Sequence, residues 1–408
     1  MTDAVNAPTA LGRAQITEID GLAYPEGSMC SHGDEQEIPW PRHRTLPPRV
    51  EGDLPGDTVL VSVDSHVMEP SDWAEWMPAK FRDRAPKQWR DENENIRFSY
   101  DGVEVDDHFD PCVMEGRAGL HDVEARIRDL DAEGINKDLM YPQRSFGLLS
   151  GMRRSHADIV RHDPEYAMAY IRGYNAYVAH LSRQYPDRLY GVAILNFWDP
   201  TMTADHIAEI KDQGLKAIVI PTSPPGVSYN DPSMEPMWDA IEASGMPLSF
   251  HVGEKFTMDG PGVLGVGMMM NFHPFRKLWS MLTFSGILER HPELRVVFTE
   301  GQIHWVPGAL DDADRVVRSF GSLCQPRLAQ PPSHYWFQNC YATFQEDPVG
   351  LSLLDRIGAD RVLWATDYPH SESTLGRSRE AASKVFEATD AEHAKAIVGG
   401  TAIKLWNL

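Results

Sequence analysis

From residue 58 onward, short runs rich in β-branched residues alternate with amphipathic stretches, and this alternation constrains the fold more than any other feature of the chain. Strands are expected at Val59–Val63, Lys137–Tyr141, Leu189–Leu195, Ala217–Pro221, Pro247–His251, Arg295–Thr299, Gln338–Thr343 and Arg361–Ala365. Helical periodicity fills nearly all the gaps, at His121–Glu133, Pro164–Tyr185, Thr203–Gln213, Met234–Ala243, Phe275–Arg290, Val306–Phe320, Pro348–Ile357 and Ser378–Glu387. Strands separated by crossover helices form parallel sheets covered on both faces. Pro164 suits a first helical turn, and Gly214 and Gly245 suit helix ends. Eight such alternations over about 350 residues predict an α/β protein of the (β/α)8 TIM-barrel type. A doubly wound sheet is the alternative, but it usually places a glycine-rich phosphate loop after the first strand, where this chain has Asp64-Ser65-His66.

Residues 1–57 are different in texture. They lack apolar periodicity and carry Pro25, Pro39, Pro41, Pro47, Pro48 and Pro55. Such a segment cannot bury a core, so it is expected to be an arm, disordered or lying across a partner subunit of a homo-oligomer, ahead of a catalytic domain at 58–408. Two barrel connections are longer than the fold needs. One runs from Val67 to about Leu120 and holds Trp73, Trp76 and Trp89; the other, Val252–Pro274, holds four glycines and Met268-Met269-Met270. Long loops at this end of a barrel are usually functional, and flexible methionines suit a bulky apolar ligand.

Composition excludes several classes. Among 408 residues, 38 are basic and 60 acidic, for a net charge of −22 that repels a nucleic-acid backbone. No run of about 18 apolar residues is present to span a membrane. The four cysteines, Cys30, Cys112, Cys324 and Cys340, are far apart and form no CxxC pair, which argues against a disulfide framework and fits a reducing cytoplasm.

The residues expected at the strand ends carry the chemistry. The first strand leads into Asp64, His66 and Glu69; the fifth ends at His251; the sixth at Glu300, with His304 four residues on; the eighth at Asp367, followed by His370. A barrel gathers the C-terminal ends of its strands at one mouth. Imidazole and carboxylate without nearby thiolate suit Zn, Fe or Mn. If Gly301 opens a helix, Glu300 and His304 share one face of it. Seven candidate ligands (Asp64, His66, Glu69, His251, Glu300, His304 and Asp367) exceed what one metal needs, so two are expected. His370 is expected to orient a ligand or donate a proton. Arg144, Arg153 and Arg154 are further candidates for meeting a substrate carboxylate or phosphate.

The motifs VDSHVMEP, SFHVG and WATDYPH resemble the amidohydrolase-related (amidohydrolase 2) branch of the amidohydrolase superfamily, over roughly Val59 to Leu408. The resemblance implies that Asp64 or His66, His251 and Asp367 hold metal. Members of this branch hydrolyse C–N or C–O bonds or decarboxylate aromatic acids, commonly with one divalent ion. This chain departs from the pattern in having D-x-H-x-x-E rather than H-x-H after the first strand, and Glu300 where many members carry a histidine. With Glu69 and His304, these departures are similar to a subgroup of nonheme diiron monooxygenases. That subgroup implies two iron ions, dioxygen, an external electron donor and hydroxylation of a bulky hydrophobic substrate, such as a terpenoid coenzyme A thioester of secondary metabolism. The competing expectation is a hydrolase or decarboxylase with one Zn or Mn, in which Glu300 or Asp367 is the general base.

Overall fold

The computed structural model describes residues 52–408 apart from 71, 91–95, 106–117, 121, 144, 146–158, 225, 254–260, 272–274 and 371–372. The described strands, in chain order, are β1 (Val61–Val67), β2 (Lys87–Arg90), β3 (Ile96–Tyr100), β4 (Val103–Val105), β5 (Lys137–Pro142), β6 (Leu189–Ile194), β7 (Ala217–Pro221), β8 (Leu248–His251), β9 (Val296–Thr299), β10 (Cys340–Phe344) and β11 (Val362–Trp364). Strands β1 and β5 to β11 form one eight-stranded sheet in sequence order, every registered pair parallel. Its first and last strands meet through Asp367 N–H donating to Asp64 O at 2.9 Å and His66 N–H to Tyr368 O at 2.6 Å. With helices between the strands, this is a nearly closed (β/α)8 TIM barrel.

The two strand faces bury different things. Phe298 on β9 points outward, its ring centroid 6.1 Å from that of Trp336 and 5.3 Å from that of Phe275 in the helical layer. Its neighbour Thr299 points into the lumen, where Tyr141 Oη donates to Ser249 Oγ at 2.8 Å and lies 3.3 Å from Thr299 Oγ1. Alternation along each strand therefore assigns the inward face to Tyr141, Ser249, His251 and Thr299.

Strand β1 departs from simple alternation, and the departure builds the site. Ser62 pairs with Asp138 and Ser65 with Met140, so β1 takes three steps where β5 takes two. This is a bulge of one residue. Without it, Asp64 would share the outward face of Ser62; with it, Asp64 and His66 both turn inward while Ser65 points out.

The core strands match expectation to within a few residues, but several features differ. The polar run Asp64-Ser65-His66 continues β1 rather than ending it. The first insertion holds the antiparallel meander β2-β3-β4. The Val252–Pro274 segment, expected as a loop, contains a helix at Val263–Asn271 with Met269 and Met270 exposed. The expected helix Phe275–Arg290 breaks at Gly286, whose φ is 74°. An additional helix, Pro332–Asn339, precedes β10. Most of the expected arm, and Arg144, Arg153 and Arg154, lie outside the described residues. Among the described residues, no helix is long and apolar enough to cross a membrane.

Candidate active site

Six side chains converge at the C-terminal end of the barrel. The ligand atoms of Asp64, His66, His251 and Glu300 all lie within 4.8 Å of one another, and so do those of His66, Glu300, Asp367 and His370. His251 Nε2 is 3.4 Å from Asp64 Oδ1 and 3.3 Å from Glu300 Oε2. His66 Nε2 is 3.3 Å from Asp367 Oδ1 and 3.7 Å from Asp64 Oδ1. Asp64, His66, His251, Glu300 and Asp367 are all buried.

The backbone is bent to bring two of the carboxylates in. Glu300 and Asp367 have φ of 71° and 57°. Non-glycine residues rarely adopt this left-handed conformation, and it costs of order 1–3 kcal/mol at each position. At Glu300 it reverses the alternation that would send the side chain outward after Thr299. The Glu300 N–H is secured by Thr343 Oγ1 at 2.8 Å.

Hydrogen bonding fixes which way the imidazoles face. A carbonyl can only accept, so His251 Nδ1 at 2.9 Å from Val252 O carries the proton and Nε2 presents a lone pair. His66 is oriented the same way, with Nδ1 3.4 Å from Pro142 O. Burial pushes its pKa well below the ordinary histidine value, helped by the neighbouring imidazoles of His370 and His251. Neutral His66 therefore aims a lone pair at carboxylate oxygens. Its Nε2 and both oxygens of Asp64 are buried and have no hydrogen-bond partner among the described residues. Lone pairs facing lone pairs in a buried site are unfavourable, and a cation held between them would relieve this. The donor set, carboxylates and imidazoles without thiolate, fits Zn or Mn.

Outside the barrel wall a second buried group braces the first. Arg126, from the helix Val123–Glu133, donates Nε to Asp138 Oδ2 at 2.8 Å, Nη1 to His66 O at 2.7 Å and Nη2 to Ser65 Oγ at 2.6 Å. It also lies 5.0 Å from the ring centroid of Tyr368, next to Asp367. One guanidinium thus ties together the ends of β1, β5 and β11. His370 stacks on His66 with centroids 4.1 Å apart. Its Nδ1 is 2.9 Å from Asp367 Oδ1 and 3.9 Å from Glu300 Oε1, and its Nε2 is 3.2 Å from Gln143 Oε1.

Two expected ligands do not join the cluster. Glu69 is buried, but its Oε1 accepts from Ser145 N–H at 2.6 Å, and it belongs to neither ligand group. His304 is 39% exposed, and its Nδ1 sits 3.0 Å from Asp347 Oδ2, which also accepts the Ile303 and His304 N–H groups at 2.8 Å. The expected shared helical face fails because the helix begins only at Trp305, while Glu300 and Gln302 both have positive φ. The remaining donors form two overlapping groups that share His66 and Glu300. Gln143, Tyr141 and Arg126 were not singled out from sequence. Gln143 had a usable signal, since it lies two residues beyond inward-facing Tyr141.

The amidohydrolase family model matches residues 103–408. The chain therefore belongs to the amidohydrolase family of enzymes. More particularly, it is similar to 2-amino-3-carboxymuconate-6-semialdehyde decarboxylase of Dictyostelium discoideum, at 22% identity over 346 residues, 79% of this chain and 89% of the relative. A structure of 5-carboxyvanillate decarboxylase from Novosphingobium aromaticivorans, with bound manganese, superposes with a TM-score of 0.66 at 20% identity, covering 88% of this chain and all of that one. A dihydroxybenzoic acid decarboxylase from Polaromonas sp. JS666, also with manganese, has a TM-score of 0.61 at 18% identity, covering 86% of this chain and 97% of the other.

These relatives overturn the expected diiron monooxygenase. Each is a decarboxylase, and they match the competing expectation instead. The two irons, dioxygen, electron donor and coenzyme A thioester expected alongside the oxygenase lose their support. The physical reason for the error is that Glu69, whose Oε1 accepts the Ser145 N–H, and His304, beside Asp347, raised the ligand count to seven but belong to neither ligand group.

Proposed function

We propose that this chain is a metal-dependent decarboxylase of a small carboxylic acid whose carboxylated carbon belongs to an aromatic or conjugated system. The observation that carries this reading is the buried cluster at the barrel mouth, with Asp64 and His66 presenting unpartnered atoms, in a chain similar to decarboxylases. Asp64, His66, His251 and Asp367 would hold one divalent ion, Mn or Zn. When bound, the ion supplies Lewis acidity that polarises a substrate oxygen and stabilises negative charge developing on it.

The chain supplies the proton. Decarboxylation breaks the bond between the carboxylate and its carbon, CO2 leaves, and the electron pair left behind must take a proton. Glu300 would hold that proton on Oε1, and His370, whose Nδ1 is 3.9 Å away, would replace it. Gln143 and Asp367 keep the His370 ring aligned from either side. The left-handed backbone at Glu300 keeps this carboxyl aimed inward.

The test is CO2 release by metal-free protein reloaded with Mn or Zn and offered 2,6-dihydroxybenzoate, 5-carboxyvanillate and 2-amino-3-carboxymuconate-6-semialdehyde. At least one should release CO2 in a metal-dependent way, and Glu300→Gln should lower the rate about 100-fold or more. Release of no CO2 from any acid by the loaded protein, with hydrolysis of simple esters or lactones instead, would overturn the reading.

A further inference from the structure

Glu69 is a buried carboxyl to which the proposed chemistry gives no part. It lies two residues past Val67, and Val67 is paired with Pro142 in the register of β1 and β5. Ser145 lies three residues past Pro142, so the two chains leave the sheet side by side. Ser145 is buried, and its N–H needs an acceptor there. Glu69 Oε1 supplies one at 2.6 Å, and a carboxylate makes a stronger acceptor than a neutral oxygen.

Both sides of this clamp are tied to one helix, Pro164–Gln184. Tyr170 Oη donates to Ser145 Oγ at 2.8 Å, and Tyr177 Oη donates to Met68 O, next to Glu69, at 3.2 Å. Seven residues span two helical turns, so these tyrosines share a face of that helix. The clamp closes two residues from Gln143, whose Oε1 is 3.2 Å from His370 Nε2. Gln143 lies just past the end of β5, so its place depends on what holds the chain beyond it.

We propose that Glu69 is a positioning residue: it holds Ser145 so that Gln143 keeps the His370 ring in line with Glu300. This rests on the decarboxylase reading for the reaction that the alignment serves. Without the Glu69 carboxyl, the Gln143 amide moves off His370 and return of the proton to Glu300 slows. Glu69 belongs to neither ligand group, so metal binding is unaffected.

The experiment is a double-mutant cycle of Glu69→Ala and Gln143→Ala in Zn-loaded protein, read through the NMR signals of the His370 ring, which are assigned by their loss in His370→Gln. Each single variant should shift the His370 signals in the same direction, and the double variant should shift them no further than the larger single. Glu69→Gln keeps an acceptor for the Ser145 N–H and should restore the wild-type position. Zinc content and the ring signals of buried His206 and His291 should not change. With an acid that releases CO2, Glu69→Ala should lower kcat about tenfold while KM changes less than about twofold, and the double variant should be no slower than the slower single. An unmoved His370 signal in Glu69→Ala, shifts that add in the double variant, a Glu69→Gln that behaves like Glu69→Ala, or an unchanged kcat would overturn the proposal. So would a Glu69→Ala chain that does not fold, or whose His206 and His291 signals move as well, since Glu69 would then be a structural residue. The ring signals are read without turnover, so a coupled shift in a protein that releases no CO2 from any acid sinks the decarboxylase reading and leaves the positioning role standing.

Discussion

The two faces of β1 are built from neighbouring residues and treat polarity in opposite ways. On the outer face, Ser62 and Ser65 are bonded, and Arg126 spends its donors on Asp138 Oδ2, His66 O, Gly119 O and Ser65, with Asp138 Oδ1 alone left unmet among these side chains. On the inner face, Asp64 and His66 are just as buried, but among the described residues Asp64 Oδ1 and Oδ2 and His66 Nε2 meet no hydrogen-bond partner. A buried network whose groups are nearly all met specifies structure, whereas a cluster of several unmet lone pairs facing one another suits something that binds. The bulge between Ser62 and Ser65 separates the two roles.

Breaking the outer face should cost the most stability. Arg126→Met strands Asp138 as a buried charge and should lower the unfolding free energy of metal-free protein by about 3–5 kcal/mol. Urea denaturation monitored by tryptophan fluorescence reads this, and a loss below about 1 kcal/mol would show the guanidinium to be dispensable.

A smaller effect comes from another structural group. His206 is buried, accepts the Asn196 N–H on Nδ1 at 3.1 Å, and has a pKa lowered to about 4, chiefly by burial. Because the unfolded chain takes up this proton near pH 6.5 and the folded chain does not, the neutral imidazole's contribution is intact above about pH 6.5. It is lost as pH falls toward 4. The stability difference between wild type and His206→Gln should therefore shift by about 2–3 kcal/mol against wild type between pH 7.5 and 4.5. A pH-independent difference would contradict the assignment.

The smallest effect belongs to the residue that sequence reasoning overvalued. His304→Ala removes a partly exposed contact to Asp347 and should change stability by no more than about 1 kcal/mol. Metal content, measured by elemental analysis, should stay at the wild-type value.

What could be read from the sequence follows the same division. The barrel was legible because each strand is apolar enough to be buried on both faces, as in Ala217–Pro221 and Leu248–His251. His66, His251, Glu300 and Asp367 were legible as ligand-type residues at strand ends. The continuation of β1 through Asp64-Ser65-His66 was hidden, because polar residues there are justified by the site rather than by strand propensity. The left-handed residues Glu300, Gln302 and Asp367 are not glycines, so residue type does not announce their conformation. His304 was misplaced for that reason, since a helix starting at Gly301 would have put it one turn above Glu300. Glu69 was misread because its partner is the backbone of Ser145, whose proximity only the fold creates.

The most direct test of the inner face is calorimetric titration of metal-free protein with Mn2+, in wild type and in Asp64→Asn, with unfolding free energies of the metal-free forms measured alongside. Wild type should take up one manganese per chain, and Asp64→Asn should bind it at least about 100-fold more weakly. The metal-free variant should be as stable as wild type or more so, since it no longer buries an unmet charge. Wild type that takes up no manganese, or a variant that binds it equally well, would contradict the assignment of this face as a metal site.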